Sequence, residues 1–262
     1  MESNQLSWTD THCHLYVAEF DDDRASMLER AFASGTRRMM LPNIDLESVD
    51  RILNLAKEQP GHCIPMMGLH PCSVKENYKV ELGEIEKLLF SGKYIGVGET
   101  GIDLYWDTTF KEQQIEAFEL QIDWALQLDL PVIIHSRESL DLNIEIISRK
   151  QDGRLRGIFH CFGGSLEQAR RIHDLGFKAG IGGTVTYKNS TLPNVLPEMA
   201  PSMIVLETDA PYLAPVPKRG KRNESSYIPL IAAKVADILQ VSLAELSVLT
   251  NENAAEVFGK KT

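Results

Sequence analysis

Histidines and carboxylates recur along this chain in a pattern that could hold divalent metal ions. The first two, His12 and His14, are separated by one residue near the N-terminus. Side chains alternate between the two faces of an extended strand, so both imidazoles would point the same way. Two neutral imidazoles on one face can bind one divalent cation, whereas the plainer alternative is a solvated strand with two polar residues. The later histidines and carboxylates favour the metal site.

Those later candidates fall near the ends of apolar segments that we predict to be strands. Runs of apolar, β-branched or glycine residues indicate eight strands, near 8–15, 37–44, 63–71, 94–102, 131–136, 156–162, 178–184 and 204–212. A further candidate ligand lies late in the third, fourth, fifth, sixth and eighth of them. These are His70, Glu99, His135, His160 and Asp209.

The elements that must position these residues alternate between strand and helix. Apolar stripes with helical period separate the strands, and eight such units in 262 residues predict an α/β fold, a single (β/α)₈ TIM barrel. The alternative, an open doubly wound sheet, would place a glycine-rich loop after the first strand, and residues 15–20 contain no glycine. We expect one domain over residues 1–262.

The last helical region has its own start signal. Ser242 and Glu245 have the spacing of a capping box, in which each side chain bonds the other residue's backbone N–H. We predict that the helix opening there breaks near Thr250.

In a barrel of this kind the active site lies at the C-terminal rim of the strands. Six strong ligands exceed what one cation needs, and a central carboxylate between imidazoles suits two cations about 3.5–4 Å apart. We therefore predict two divalent ions, Zn²⁺ or Mn²⁺ by donor type, or Mg²⁺ where a substrate phosphate completes its shell. The predicted ligands are His12, His14, Glu99 and Asp209 for the first ion, and Glu99, His135 and His160 for the second.

Seven short motifs occur in order along nearly the whole chain. They are Thr-His-Cys-His at 11–14, Gly-Leu-His-Pro at 68–71, Gly-Glu-Thr-Gly-Ile-Asp at 98–103, Ile-His-Ser-Arg at 134–137, His-Cys-Phe-Gly-Gly at 160–164, Glu-Thr-Asp-Ala-Pro-Tyr-Leu at 207–213 and Arg-Gly-Lys-Arg-Asn-Glu at 219–224. Together they resemble the motifs of the TatD family of metal-dependent hydrolases. The resemblance implies a TIM barrel of the amidohydrolase superfamily, a two-metal site and, for the best-known members, magnesium-dependent deoxyribonuclease activity.

One loop departs from the family pattern. Many relatives carry two adjacent aromatic residues directly after the aspartate of the third motif, whereas here Leu104 precedes Tyr105 and Trp106. Because this loop would face the substrate, the departure bears on specificity.

Three side chains near the predicted rim have two interpretations each. Glu207 lies two residues before Asp209, so it would either orient a metal ligand or water, which is the catalytic role that we predict beside Glu99 and Asp209, or be a buried carboxylate tied to a neighbouring strand. His70 would contact substrate, or else pack within its loop. Arg137 would offer a forked donor to phosphate, or form a surface ion pair.

A basic segment, 218–222, stands out in a chain with 37 acidic and 27 basic residues and a net charge of −10. That charge argues against broad electrostatic capture of a nucleic-acid backbone, so a polyanionic substrate would need a local positive site. We predict that Arg219, Lys221 and Arg222 contact such a substrate; the alternative is that Arg222 braces the loop.

These observations predict a divalent-metal-dependent deoxyribonuclease that digests single-stranded DNA from 3′ to 5′. A metal-dependent ester or amide hydrolase, such as an aminoacyl-tRNA deacylase, is the second hypothesis, and a non-catalytic nucleic-acid-binding protein is the third. We expect DNA as the substrate and see no sign of an obligate protein partner. Four scattered cysteines indicate a reducing compartment, and the lack of a long apolar run indicates no membrane span, so we expect a cytoplasmic protein.

Overall fold

A computed structural model describes residues 6–259, in which strands and helices alternate from one end to the other. Strands are present in all eight predicted segments, although most are shorter than the sequence patterns. They are β1 (Trp8–Asp10), β2 (Thr36–Leu41), β3 (Cys63–Pro65), β4 (Val97–Asp103), β5 (Val132–Arg137), β6 (Gly157–Phe159), β7 (Phe177–Ile181) and β8 (Ile204–Leu206).

Helices follow the strands and cover the outside of the sheet. They are α1 (Arg24–Ala33), α2 (Val49–Glu58), α3 (Tyr78–Ser91), α4 (Lys111–Leu128), α5 (Leu140–Lys150), α6 (Leu166–Asp174), α7 (Leu192–Val195), α8 (Ile228–Leu239) and α9 (Leu243–Phe258). Among residues 6–259 no single helix is long and apolar enough to cross a bilayer, and one pair bent by 106°, Ser225–Leu239 with Leu243–Phe258, meets those criteria only jointly.

The strands form a closed parallel barrel. β1 to β3 pair in sequence order, as do β4 to β8. A parallel bridge between Met67 and Val97 joins the two sets at one seam. At the other seam, the Thr11 N–H donates to Leu206 O at 3.0 Å and the Asp209 N–H donates to His12 O at 2.9 Å. The fold is thus the predicted (β/α)₈ TIM barrel, whose loops after the strands share one rim.

An apolar layer fills the barrel directly below that rim. Ile133, Ile158 and Val205 are buried, and each lies two residues before a candidate site residue. Ile133 and His135 share one face of β5, whereas His160 and Glu207 lie directly after β6 and β8. The buried Val257 and Phe258, in the last turn of α9, belong to the same cluster. The C-terminal helix therefore packs against the opposite, N-terminal end of the barrel.

The predicted break in the last helix is wrong. Helix α9 runs without interruption from Leu243 to Phe258, and the predicted capping box at Ser242 opens it. The Thr250 hydroxyl donates to Leu246 O at 2.9 Å, one turn earlier, so this buried polar group is satisfied within the helix. A threonine that bonds backward in this way does not end a helix.

Candidate metal centre

The two N-terminal histidines lie beyond β1, not within it, so strand alternation is not what brings them together. β1 ends at Asp10, yet the Nε2 atoms of His12 and His14 are 3.2 Å apart. Asp10 shapes this loop: its fully buried carboxylate accepts hydrogen bonds from the Thr208 N–H at 2.9 Å, the Thr208 hydroxyl at 2.6 Å and the Ser225 hydroxyl at 2.6 Å. Burial raises the pKa of Asp10 to about 6.

Glu99 occupies the middle of the rim, within β4, and its side chain is 2% exposed. Its Oε2 lies 3.1 Å from His12 Nε2 and 3.3 Å from His14 Nε2. Its Oε1 lies 2.8 Å from His160 Nε2 and 2.9 Å from His135 Nδ1. Burial opposes ionisation, but the surrounding imidazoles, His160 first, outweigh it and hold the pKa of this carboxyl well below its ordinary value. Oε2 thus faces His12 and His14, whereas Oε1 faces His135 and His160, with His70 Nε2 3.3 Å away.

Asp209 reaches the centre from the loop after β8, three residues beyond the end of the strand in which it was predicted. Its Oδ1 lies 3.6 Å from His14 Nε2 and 3.8 Å from His12 Nε2. The residue has a positive φ of 58°, which aspartate tolerates better than most residues, and its N–H is bonded to His12 O. Burial raises the pKa of Asp209 to about 6.

Hydrogen bonds to the outer ring nitrogens orient two of the histidines. The Tyr16 hydroxyl donates to Pro42 O at 2.6 Å, so it accepts from His14 Nδ1 at 3.0 Å. That leaves the His14 Nε2 lone pair facing Glu99. In the same way, His135 Nε2 lies 2.9 Å from the Asp103 carboxylate, which leaves Nδ1 facing the centre.

The residues gathered here fit a divalent cation. Three overlapping groups have ligand atoms within 4.8 Å of one another: His12, His14 and Asp209; His12, Glu99 and His160; and His70, Glu99 and His135. Imidazole nitrogens and carboxylate oxygens are ligands for Zn²⁺ and Mn²⁺. Two facing imidazole nitrogens 3.2 Å apart, as in His12 and His14, also call for a proton or a cation between them.

Comparison with known proteins agrees with this geometry. A family model described as TatD related DNase matches residues 9–259. The chain therefore belongs to the TatD family. An uncharacterized metal-dependent hydrolase of Bacillus subtilis, YabD, is 34% identical over 250 residues, which cover 95% of this chain and 98% of that protein. This TatD family chain is accordingly a metal-dependent hydrolase, and the predicted resemblance is confirmed.

Two further relatives of this TatD family member are informative. The crystal structure of YjjV, a TatD homologue from Escherichia coli, superposes with a TM-score of 0.90 at 31% identity and covers 96% of this chain and 97% of that one. A Salmonella typhimurium protein named 3′-5′ ssDNA/RNA exonuclease TatD is 29% identical over 255 residues, covering 95% of this chain and 98% of that protein.

His70 presents a protonated ring nitrogen to the centre of this TatD family site, unlike His14 and His135. Its Nδ1 accepts the Cys72 N–H at 3.0 Å, so in the neutral ring the proton is on Nε2. That atom lies 3.3 Å from Glu99 Oε1 and 3.3 Å from His135 Nδ1. Burial lowers the pKa of His70 and favours the neutral ring. The side chain therefore presents a hydrogen-bond donor to the centre.

Glu207 lies at the base of the site and is fully buried. Its Oε1 accepts the Cys161 N–H at 2.5 Å and lies 3.7 Å from His160 Nδ1. Its Oε2 and the Nδ1 atoms of His12 and His160 have no hydrogen-bond partner within residues 6–259. The carboxylate fits only because β7 carries Gly180, where a Cβ would lie 1.9 Å from Oε2.

The predicted substrate-binding arginines separate into two kinds. Arg222 forms two hydrogen bonds with the Asp23 carboxylate, at 2.7 and 2.8 Å, and a third with Glu19 O at 2.7 Å. It braces the loop against the start of α1, so we omit it from the proposed substrate contacts. Arg137, by contrast, is exposed, and the described part of the chain offers its guanidinium no ion-pair partner. It lies 4.6 Å above the Tyr105 ring.

The other two predicted contacts remain available to a ligand. Arg219 lies 4.6 Å above the Tyr187 ring, and no described carboxylate pairs with it. Lys221 lines a groove of about 860 Å³ together with Lys218, and its ammonium group likewise has no ion-pair partner in the described chain.

Sequence reasoning missed the residues that orient the ligands. Asp103 ends the third motif, so its position beside the other motif residues was a usable signal. Tyr16 and Asp10 carried no such signal, because their roles depend on contacts with Pro42 and Thr208 that only the folded barrel creates.

Proposed function

We propose that this TatD family hydrolase is a two-metal 3′–5′ exonuclease acting on single-stranded DNA. The observation that carries the proposal is the position of Glu99, whose two oxygens face separate pairs of histidines. A carboxylate so placed would suit two divalent ions, whose charge would favour displacement at a phosphodiester. The name of the Salmonella relative, a 3′-5′ ssDNA/RNA exonuclease, supports a nucleic-acid substrate.

The ligands divide around that carboxylate. We assign His12, His14, Asp209 and Glu99 to one ion, and Glu99, His135 and His160 to the other. Mg²⁺, Mn²⁺ and Zn²⁺ are the candidates. Divalent ions held there would supply Lewis acidity, which acidifies water and offsets charge on the phosphoryl oxygens.

The remaining polar groups of the centre have separate tasks in this proposal. His70 donates its Nε2 proton as a hydrogen bond to a phosphoryl oxygen. Asp209, whose side chain is 12% exposed against 2% for Glu99, is the more water-accessible carboxylate and accepts a proton from the attacking water. Glu207 lies beneath His160 and restrains the orientation of that ring.

A turnover assay on protein reloaded with metal tests the identity of the substrate. Metal-stripped protein would be reloaded separately with Mg²⁺, Mn²⁺ or Zn²⁺ and given 5′-end-labelled single-stranded DNA, with the Glu99→Ala variant as the blank. We expect a ladder of progressively shorter labelled strands that the variant does not produce. Intact DNA with every metal would refute the exonuclease, and an ester or aminoacyl-tRNA panel would then test carbonyl hydrolysis at the same centre.

We also propose a reducing, cytoplasmic location. All four cysteines are unpaired, and two of them, Cys13 and Cys63, are buried in the apolar cluster beside α1 and α2. Unpaired buried thiols are typical of reducing compartments. Expression with fractionation and thiol titration of the native protein checks this expectation.

A further inference from the structure

The loop after β4 exposes two aromatic side chains beside the metal centre. Trp106 is 75% exposed and Tyr105 is 50% exposed, whereas the other two tryptophans, Trp8 and Trp124, are buried. The Tyr105 and Trp106 rings meet edge to face with centroids 5.0 Å apart. An indole left in water forgoes a large hydrophobic stabilisation, so its exposure calls for an explanation outside the fold.

Asp103 ties these rings to the centre. Its Oδ1 accepts the N–H groups of Tyr105 at 2.9 Å and Trp106 at 3.0 Å, while its Oδ2 contacts His135 Nε2 at 2.9 Å. One carboxylate therefore contacts both a candidate metal ligand and the backbone of the aromatic loop, and so fixes their relative positions. Three short polar contacts of Asp103 thus connect the backbone that carries the rings to the centre.

Arg137 adds a cation to the same surface. It follows His135 by two residues, at the end of β5, and its guanidinium carbon lies 4.6 Å from the Tyr105 ring centroid. A guanidinium in cation–π contact with a ring can still donate its N–H groups to an anion. No carboxylate of residues 6–259 pairs with it, in contrast to Arg222, whose donors are used by Asp23.

A cavity opens between this loop and the helix layer. Its volume is about 430 Å³, within the range of small-ligand sites, and its lining combines an indole, a carboxamide, two carboxylates, an amine and a thiol. The lining residues are Cys72, Lys75, Asp103, Trp106, Asp107 and Gln114.

We propose that Tyr105, Trp106 and Arg137 form a base-stacking subsite for an unpaired nucleotide of the substrate. The Trp106 indole stacks on the nucleobase, and Arg137, held on Tyr105, binds the adjoining phosphate. Every base has a π-face, so such a platform accepts any sequence but requires a base that is not paired. This inference rests on the proposed nuclease function and specifies which part of the chain reads the single-stranded state.

The kinetic test removes single bases from the substrate. Strands carrying one abasic residue at each of the last three 3′ positions would be compared with the intact strand by kcat/KM. We expect wild-type protein to lose about 5- to 150-fold at one position, the range measured for a stacked base. Trp106→Ala should lose a similar factor on intact DNA and become insensitive to the abasic residue. Trp106→Phe should keep much of the sensitivity, and Phe90→Ala, at an exposed ring on α3, should behave as wild type.

A binding readout separates this subsite from the chemistry. Because Trp106 is the exposed tryptophan, stacking should quench the intrinsic fluorescence when a phosphorothioate single strand is added, and Trp106→Phe should remove the quench. A Trp106→Ala variant with wild-type abasic sensitivity and an unquenched wild-type titration would overturn the subsite. If wild type degrades no DNA, the nuclease proposal fails separately. Quenching by a nucleoside monophosphate but not by deoxyribose 5-phosphate would then still support the subsite, and quenching by neither would refute it.

Discussion

The N-terminal end of this barrel is lined by apolar side chains, whereas its C-terminal rim is lined by polar and ionisable ones. At the N-terminal end, Phe258 and Val257 of the last helix pack on buried apolar side chains such as Ile158. At the C-terminal rim, two strand positions above Ile158, imidazoles and carboxylates converge and three of their buried polar atoms lack a partner within the described residues. Unpartnered buried polar groups cost folding free energy, so the rim is held in place by the rest of the molecule.

Stability and chemistry therefore occupy different layers of one set of strands. On β5, Ile133 belongs to the apolar layer, and His135, two residues later on the same strand face, belongs to the site. Substitutions at the two ends should therefore separate loss of activity from loss of stability.

The largest effect should come from neutralising the central carboxylate. Glu99→Gln keeps the shape of the side chain but removes the charge that lies between the two pairs of imidazoles. Because metal-assisted charge stabilisation amounts to several kcal/mol, we expect kcat/KM on single-stranded DNA to fall by about 10³-fold or more. The thermal midpoint measured on metal-stripped protein should not decrease. A variant that unfolds at lower temperature would show that the rim also stabilises the fold.

A substitution at the N-terminal end of the barrel should have an effect of similar size, but on the free energy of unfolding. Phe258→Ala removes a buried ring from the apolar cluster at the N-terminal end of the barrel and should lower the free energy of unfolding by about 3 kcal/mol. Urea denaturation measures this, with Val248→Ala as the matched control, since Val248 is 58% exposed on the same helix and should change stability by less than about 0.5 kcal/mol. Activity per folded molecule should stay within a factor of about two of wild type. A larger fall would mean that the two layers are coupled.

A smaller effect is expected at the link between the centre and the aromatic loop. In Asp103→Asn the amide oxygen can still accept the Tyr105 and Trp106 N–H groups, so the amide nitrogen faces the protonated His135 Nε2. We expect a loss of about 10- to 100-fold in metal affinity or kcat, as for other residues that orient metal ligands. Isothermal titration with Mn²⁺ and initial rates measure it. Sensitivity to the abasic substrate should persist, and its loss would show that Asp103 places the aromatic loop through its charge.

The smallest effect is expected for the ion pair between Arg222 and Asp23, which braces the loop at the rim. Hydrogen bonds from Arg222, then from Arg30, lower the pKa of Asp23 from 3.8 to about 2. A depressed folded-state pKa adds stability above the unfolded value of 3.8, and this contribution disappears as the pH falls from about 4 to about 2. Asp23 is about one-third exposed, so the contribution should be below about 1 kcal/mol.

Urea midpoints between pH 7 and pH 2.5 test the brace. Asp23→Asn should lose this part of the acid sensitivity, while Asp22→Asn, an exposed neighbour with no ion pair in residues 6–259, should retain it. Equal acid profiles for wild type and Asp23→Asn would show that the brace adds no stability.

Much of the centre could be predicted from the sequence because of how parallel strands are arranged. Hydrophobic runs located the eight strands, and the carboxyl ends of parallel strands in a barrel meet at one rim. Glu99 and His135 lie within β4 and β5, and His160 follows β6 directly, so the three side chains meet at that rim. The structure agrees, with Glu99 within 3 Å of the ring nitrogens of both histidines.

Long-range contacts determine which polar groups contribute to the site and which stabilise the fold. Arg219 and Arg222 belong to one basic segment, yet Asp23, almost 200 residues earlier, uses Arg222 and leaves Arg219 available. Tyr16 orients His14 because Pro42 O lies within reach of its hydroxyl. Such contacts are between residues distant in sequence, and no local pattern encodes their distances, because barrel closure sets them. Residue types and strand order determine the chemistry of the rim, whereas long-range packing determines its geometry.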